Sequence, residues 1–350
     1  MLLTIKGKKL IPASLESGKI NEKNYSQFEK RIVEIINSWN NQDKSLSFYT
    51  SGSTGSPKLI SISREIIKYS VEQTLNKLDP DQQFKESLIC INPNYIGGTM
   101  AVIRALIGHH NIMITEPDSN PLKNTGASHF DLVSMVPLQI QNILAFNPSL
   151  FTNVNTVIIG GAPMNEKDIQ LLKKIPKTRF FHSYGMTETA SHFALRELKT
   201  QTQFETLGDI SISTDELNRL KVKGTVTENK WLQTTDLVEI TDSKHFIWKG
   251  RADHVINSGG VKVSAEEVES VLQNQISVPF FVAGIPDQKL GEKIVLIIES
   301  NDKLSHNQLN FEGLDKYAVP KEHILLNAFV YTATGKINRS ETLQKINREY

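Results

Sequence analysis

The chain has 350 residues, 39% hydrophobic and 22% charged, which is the composition of a water-soluble protein with room for more than one core. Lysine and arginine total 39 against 38 acidic residues, so a net charge of +1 gives no field for nucleic acid or an anionic membrane. The single cysteine, Cys90, excludes an internal disulfide and a cysteine-cluster metal site; no apolar run reaches the roughly 18 residues of a membrane span, and the N-terminus lacks a signal-peptide core, which points to the cytoplasm.

Tyr25 to Trp39 carries Phe28, Ile32, Ile35, Ile36 and Trp39 at helical spacing, so an amphipathic helix is expected there. Between two strand-like runs stands Phe48 to Ile60. Here Thr50, Ser51, Ser53, Thr54 and Ser56 supply hydroxyls, Gly52 and Gly55 free the backbone, and Lys58 adds a point charge. Inward-turned N–H groups and hydroxyls make a donor surface that suits a polyphosphate. The spacing is not that of a Walker A loop, because Lys58 follows Pro57 and a strand comes next. Ser63 caps a helix that ends before Asp79-Pro80, and Leu88 to Asn92 reads as a buried strand.

Asn94-Tyr95-Ile96-Gly97-Gly98 opens an apolar helix in which Arg104 stands between Ile103 and Ala105. A guanidinium in such surroundings needs an anion, either an Asp or Glu on a neighbouring element or a carboxylate on a substrate. His109-His110 reads as a solvated helix end. Strands are expected at 111–115, 131–136, 154–159 and 179–182, with helices at 137–146 and 165–174 between them. That alternation indicates a mainly parallel α/β sheet whose ligands gather at the carboxyl ends of its strands. Two stretches fall at such ends. Gly160-Gly161-Ala162-Pro163 is either a seat for a flat ligand or an ordinary turn. In His182 to Thr189, Tyr184 offers a face to a purine, Thr187 a hydroxyl to phosphate and Glu188 a hard oxygen to magnesium; capping of a solvated helix start is the plainer alternative.

From 219 to 250 the pattern changes to period two, over Leu220–Lys223, Gly224–Thr227, Trp231–Thr235 and Phe246–Lys249, as in antiparallel strands. Asp236 opens one such run and can accept from two ribose hydroxyls. The chain divides near Asp253 into a domain at 1–250 and a smaller one at 251–350. The second holds a helix over 265–273, strands at 279–285 and 293–299, and Lys336 on the turn Thr332–Arg339.

The ordered set of the hydroxyl–glycine–lysine loop, Gly-Gly-Ala-Pro, Tyr-Gly-Met-Thr-Glu, Thr-Thr-Asp, Gly-Arg-x-Asp, Ser-Gly-Gly and Thr-Gly-Lys-Ile-Asn-Arg resembles the adenylate-forming superfamily of acyl-CoA synthetases, luciferases and peptide-synthetase adenylation domains. The likeness runs in one order from about residue 48 to 340. Within the superfamily, Tyr184 to Ser191 and the compact length are most similar to the o-succinylbenzoate–CoA ligases of menaquinone synthesis. The resemblance implies an α/β fold: a large N-terminal domain with mainly parallel sheets and helices plus a short antiparallel β part, and a small mobile α+β C-terminal domain.

It also implies an acid–thiol ligase that uses ATP, Mg²⁺ and coenzyme A on a small-molecule carboxylic acid. Thr50 to Lys58 (Thr50, Ser51, Gly52, Ser53, Thr54 and Gly55 among them) would hold the β- and γ-phosphates. Gly161, Ala162, Ser183 and Tyr184 would line the adenine pocket, Thr187 would meet the α-phosphate, and Glu188 would bind the metal. Asp236 and Arg251 would hold the ribose, Asp253 would be the hinge, Ser258 to Lys262 with Gly259 and Gly260 would line the thiol channel, and Lys336 would be the adenylation lysine. Two departures stand out: only 47 residues precede the phosphate loop, and Asn94-Tyr95 replace a histidine frequent in relatives, with Tyr95 as its substitute at the acyl pocket beside Arg104. Another acyl- or aryl-CoA ligase, a carrier-loading adenylation enzyme and a non-catalytic acyl-adenylate binder are the competing readings.

Overall fold

The protein is described by a computed structural model at residues 3–5, 8–10, 25–49, 58–273, 275–276, 278–300, 309–332 and 336–349. Strands β1 (Leu3–Ile5) and β2 (Lys8–Leu10) come first. Helix α1 (Gln27–Asn40) starts at a capping box in which Ser26 and Glu29 satisfy each other's backbone N–H. It buries Phe28, Ile32, Val33, Ile35 and Ile36, each worth about 1.5–3 kcal/mol by area. Strands β3 (Ser45–Tyr49) and β4 (Leu59–Ser63) pair antiparallel as a separate hairpin, Tyr49 opposite Leu59. The hydroxyl–glycine loop is therefore flanked by strands as expected; residues 50–57 themselves lie outside the described residues.

Helix α2 (Arg64–Leu78) is capped by the Ser63 hydroxyl and ends at Asp79, whose carboxylate accepts the N–H groups of Gln83 and Phe84 and turns the chain. Strand β5 (Glu86–Ile89), helix α3 (Ile96–Ile107), strands β6 (Asn111–Ile114) and β7 (Phe130–Met135), helix α4 (Pro137–Phe146), strand β8 (Val154–Ile159) and helix α5 (Glu166–Lys173) follow. Next come β9 (Arg179–Met186), β10 (Ser191–Glu197), β11 (Phe204–Thr206), β12 (Ser211–Thr214), β13 (Arg219–Lys223), β14 (Leu232–Ile240) and β15 (His245–Arg251).

All but the β3–β4 hairpin join one thirteen-stranded sheet, ordered β12-β13-β14-β15-β11-β10-β9-β8-β7-β5-β6-β1-β2. From β9 to β1 the pairing is parallel; from β9 to β12 it is antiparallel. The antiparallel part thus continues the parallel sheet edge to edge. One expected strand is a turn: Thr225–Thr227 is a single 3₁₀ turn. The Thr225 N–H and hydroxyl donate to Asp209, and the Thr227 hydroxyl donates to Gly224, so these groups are satisfied locally instead of in a ladder.

The rest of the chain forms a five-stranded sheet. Its strands are β16 (Val255–Ser258), β17 (Val261–Ser264), β18 (Phe280–Asp287), β19 (Gly291–Glu299) and β20 (Glu322–Leu326). Helix α6 (Ala265–Leu272) packs on β18 and on the end of β15, and helix α7 (Arg339–Glu349) closes the chain. Two apolar clusters flank this sheet, one around Ile256, Val268 and Leu296, the other around Phe281, Ile297 and Phe329. Among the described residues no helix is long and apolar enough to cross a membrane.

Candidate functional site

The carboxyl ends of the parallel strands define the crevice. After β8, Gly160 lies so close to Ser183 that a Cβ would stand 2.6 Å from its hydroxyl, and Gly161 takes φ +95°, which a side-chain-bearing residue resists. The Ser183 hydroxyl donates to the Ile159 carbonyl at 3.0 Å, and a His182 ring nitrogen meets the Ala162 carbonyl oxygen at 3.2 Å. Burial, and then the Arg196 charge, push His182 down to about 4, so it is neutral at physiological pH. The Gly-Gly-Ala-Pro turn and the His182–Thr189 stretch are thereby brought side by side.

That second stretch is mostly strand. Tyr184 pairs with Ala194 inside β9, and only Thr187–Thr189 leave the ladder, as a 3₁₀ turn. Ala190 and Ser191 follow at positive φ, 51° and 81°. Two strained residues in succession hold Glu188 out from the sheet, exposed, beside β4. Lys58 is exposed at the head of β4.

The Tyr184 ring is wedged edge-on against Phe193 and Phe246 and tilted against Phe204, at centroid distances of 5.2–5.6 Å. Its hydroxyl donates to Asp236 Oδ2 at 2.8 Å, and the Trp248 indole N–H donates to Asp236 Oδ1 at 2.9 Å. Burial and the neighbouring carboxylate raise the Tyr184 phenol well above its usual range. Arg251 stands opposite Asp236 in the β14–β15 ladder and binds Asp253 with two bonds of 2.9 and 2.8 Å. The pair holds the Asp253 carboxyl below, and the Arg251 guanidinium above, their ordinary values.

Lys336 comes to the same place from the far end of the chain. Tyr331 bridges Ile337, the Thr332 N–H donates to the Lys336 carbonyl at 2.8 Å, and the Lys336 N–H donates to the Thr332 hydroxyl at 3.1 Å. The Tyr331 hydroxyl is fixed by Glu299 at 2.5 Å, and Arg339 by Glu269 at 2.8 Å. The Lys336 residue is exposed, yet surrounding protein lowers the pKa of its ammonium group, and the Arg251 charge lowers it further.

Arg104 lies deeper. It is 3% exposed, reaches the Ser134 hydroxyl at 3.4 Å, leaves Nε without a partner, and has no ion pair among the described residues. Burial pushes it down to about 10, still protonated at neutral pH. Its charge is felt by His110 and His192, both buried and held neutral at about 4 and about 3. His110 is thus not at a solvated helix end: its ring bonds the Ser87 hydroxyl at 2.8 Å, and only His109 is exposed. Tyr95 is half-buried at the N-terminus of α3. Gly259 and Gly260 form the exposed tip of the β16–β17 hairpin, with the Gly259 N–H on the Leu290 carbonyl.

The sequence profile of the AMP-binding enzyme family matches residues 8–227. The chain belongs to that family. It is an AMP-forming acid–CoA ligase. The acyl-CoA synthetase (AMP-forming)/AMP-acid ligase II-like protein of Dyadobacter fermentans is similar over 94% of this chain and 97% of its own, at 33% identity and TM-score 0.61. The 2-succinylbenzoate–CoA ligase of Listeria monocytogenes is 24% identical over 96% of this chain and 76% of its own length. The O-succinylbenzoate coenzyme A synthetase of Bacillus subtilis, solved with ATP and magnesium ion, shares the fold at TM-score 0.72 and 23% identity, over 85% of this chain and 69% of that one.

Sequence reasoning overlooked Trp248 and the anchoring role of Arg339. Trp248 carried a signal, as the one indole two residues before a Gly-Arg that follows a period-two run.

Proposed function

We propose that the protein couples a carboxylic acid to AMP from ATP, releases pyrophosphate, and passes the acyl group to CoA, with o-succinylbenzoate as the acid. The observation that carries this reading is the wall itself, Asp236 gripped by Tyr184 and Trp248 with Arg251 opposite it in the ladder; the Arg251 charge also reaches Lys336, whose pKa it lowers. Like charges brought together repel, so the arrangement suits an anion between them.

The residues fit the nucleotide. Each Asp236 oxygen has accepted one bond from the protein and keeps a second lone pair, which matches two ribose hydroxyls. Gly160 and Gly161 leave a side-chain-free seat for the base beside Ala162, Ser183 and Tyr184. The strand-flanked loop at 50–57, with Lys58, takes the β- and γ-phosphates, and Thr187 the α-phosphate. Among the described residues no group of three or more His, Cys, Asp or Glu forms a metal cage. One exposed carboxylate, Glu188, therefore fits a Mg²⁺ held mainly by phosphate oxygens and water. When bound, that ion offsets the charge on the phosphates.

The acid is ionised at neutral pH and needs no base. Its approach to phosphorus opposes about 4 kcal/mol per charge pair at ~4 Å and an effective dielectric of ~20. Lys336 places positive charge where acid oxygen and α-phosphate meet, and Lys58 on the leaving pyrophosphate. The Arg251–Asp253 pair lies at the junction of the 1–250 and 251–350 domains. Rotation there withdraws Lys336 and carries Gly259 and Gly260 toward the thiol path. o-Succinylbenzoate has a second carboxylate, and Arg104, buried and without an ion pair among the described residues, is the cation that suits it. Tyr95 closes the acid's entrance at the head of α3.

A pyrophosphate-release assay over a panel of acids tests the substrate. With CoA present, o-succinylbenzoate is expected to exceed benzoate and 4-chlorobenzoate in kcat/KM by about a hundredfold, the worth of one charge-assisted pair. Equal rates across the panel would reject the dicarboxylate assignment.

A further inference from the structure

Strand β15 does not keep regular period two. Asp236 pairs with Arg251 and Leu237 with Gly250, but Val238 pairs with Trp248, so β15 carries one extra residue at this point. Gly250 takes φ +130°, and a Cβ on it would stand 2.8 Å from Glu266 of α6. Residues 248 and 251 are three apart and would face opposite sides of an unbroken strand. The inserted residue puts both on the side of Asp236, with the Trp248 indole N–H 2.9 Å from Oδ1.

From the opposite side the Tyr184 hydroxyl reaches Oδ2 at 2.8 Å. The two donors are rigid: the indole packs on the cluster of Phe204, Phe246 and Val238, and the phenol is wedged edge-on against Phe193 and Phe246. A planar carboxylate gripped on both oxygens cannot rotate, so its two remaining lone pairs have fixed directions. The Asp236 N–H is held by the Thr234 hydroxyl at 3.1 Å, which fixes the backbone too.

We propose that Trp248, set by the β15 bulge, is a positioning residue that aims Asp236 at the ribose hydroxyls and makes the enzyme select ribonucleotides over deoxyribonucleotides. The inference rests on the nucleotide reading above and adds to it a residue and a specificity. Trp248 touches neither the sugar nor the reacting atoms; it acts through the carboxylate. Loss of its N–H frees the carboxylate to turn and leaves the hydroxyls an acceptor that must be ordered on binding.

Equilibrium binding of ATP, 2′-deoxy-ATP and 3′-deoxy-ATP to the whole chain provides the test, and it needs neither acid nor CoA. The wild-type protein is expected to lose about tenfold in affinity for each missing hydroxyl. Trp248→Phe keeps the packing and deletes the donor. It is expected to weaken ATP binding about tenfold and to shrink the deoxy penalty to about threefold or less, because indole and sugar act through one carboxylate and their losses are not additive. A purely structural role for Trp248 would weaken all three nucleotides equally and leave the ratios at wild-type values, which overturns the inference. Should Trp248→Phe fail to fold, Tyr184→Phe removes the other donor and must contract the same ratios. Asp236→Asn separates the two levels. If it flattens the ratios while Trp248→Phe does not, the nucleotide reading stands and the positioning role falls. If Asp236→Asn also keeps wild-type ratios, the ribose lies elsewhere and both fall.

Discussion

The nucleotide wall and the Lys336 hairpin are held in opposite ways. The wall is made from the interior outward. Tyr184, Asp236 and Trp248 are joined by short bonds, backed by buried phenylalanines, and belong to a sheet of thirteen strands. Among the described residues, the side-chain ties of the hairpin run to the smaller sheet unit. Tyr331 leans on Glu299 and Arg339 on Glu269, both of the smaller sheet unit, while Lys336 itself is exposed. Toward the wall it offers charge, which feels the Arg251 guanidinium. A surface that must recognise one shape gains from being fixed beforehand. A cation needed for one half-reaction and in the way of the other gains from being delivered.

Arg104 sharpens the contrast from the wall's side, and apart from Lys336 itself the largest effect is expected there. It is a buried charge with no ionic partner among the described residues, so it costs stability in the free protein. Arg104→Met should raise KM for o-succinylbenzoate about a hundredfold while raising the melting temperature, as steady-state kinetics and calorimetry will read. A drop in both affinity and melting temperature would mean that the arginine is structural.

On the hairpin side, Arg339→Met should leave Glu269 without its partner and loosen the base of the turn. Acid-dependent ATP–pyrophosphate exchange should fall about tenfold, with CoA transfer from supplied acyl-adenylate little changed. Adding Glu269→Gln, which removes the stranded charge, should recover part of the lost stability. If single and double variants unfold alike, the pair does not anchor the hairpin.

The smallest effect is in pH. The Lys336 pKa is lowered first by the surrounding protein and then by Arg251, so its proton is lost at lower pH than that of an ordinary lysine. The cation that adenylation needs is present below that pKa and disappears as pH rises through it. The alkaline limb of the pyrophosphate-exchange profile should therefore lie below the ordinary lysine range and move upward, by a few-fold in rate at fixed alkaline pH, when Arg251→Gln removes the second charge. A limb that stays put in that variant would show that Lys336 does not feel Arg251 when substrate is bound.

Much of this contrast was legible in the sequence, for reasons that can be named. The apolar spacing of Phe28 to Trp39, the capping Ser63, the break at Asp79-Pro80 and the apolar run at 154–159 act locally, and the elements fell where those signals placed them. The strands around the hydroxyl loop were readable from the apolar runs on either side of it, whereas Asp236, expected to open a run, lies in the middle of β14. Three features were not. Gly224–Thr227 has the alternation of a strand, but Asp209, fifteen residues before the stretch begins, takes its N–H and hydroxyl groups. His110 looks solvated until Ser87 of another strand is seen to hold it. Trp248 turns toward Asp236 only because one extra residue enters β15, and a bulge depends on the partner strand and on α6 packing over Gly250.

One measurement bears most directly on the division between a fixed wall and a delivered cation: the two half-reactions of Lys336→Ala, timed separately. The account predicts that acid-dependent ATP–pyrophosphate exchange falls by at least about a thousandfold, the order expected on losing a buried electrostatic contact in the transition state, while CoA transfer from supplied acyl-adenylate stays within about threefold of wild type. Equal loss of both half-reactions would contradict it.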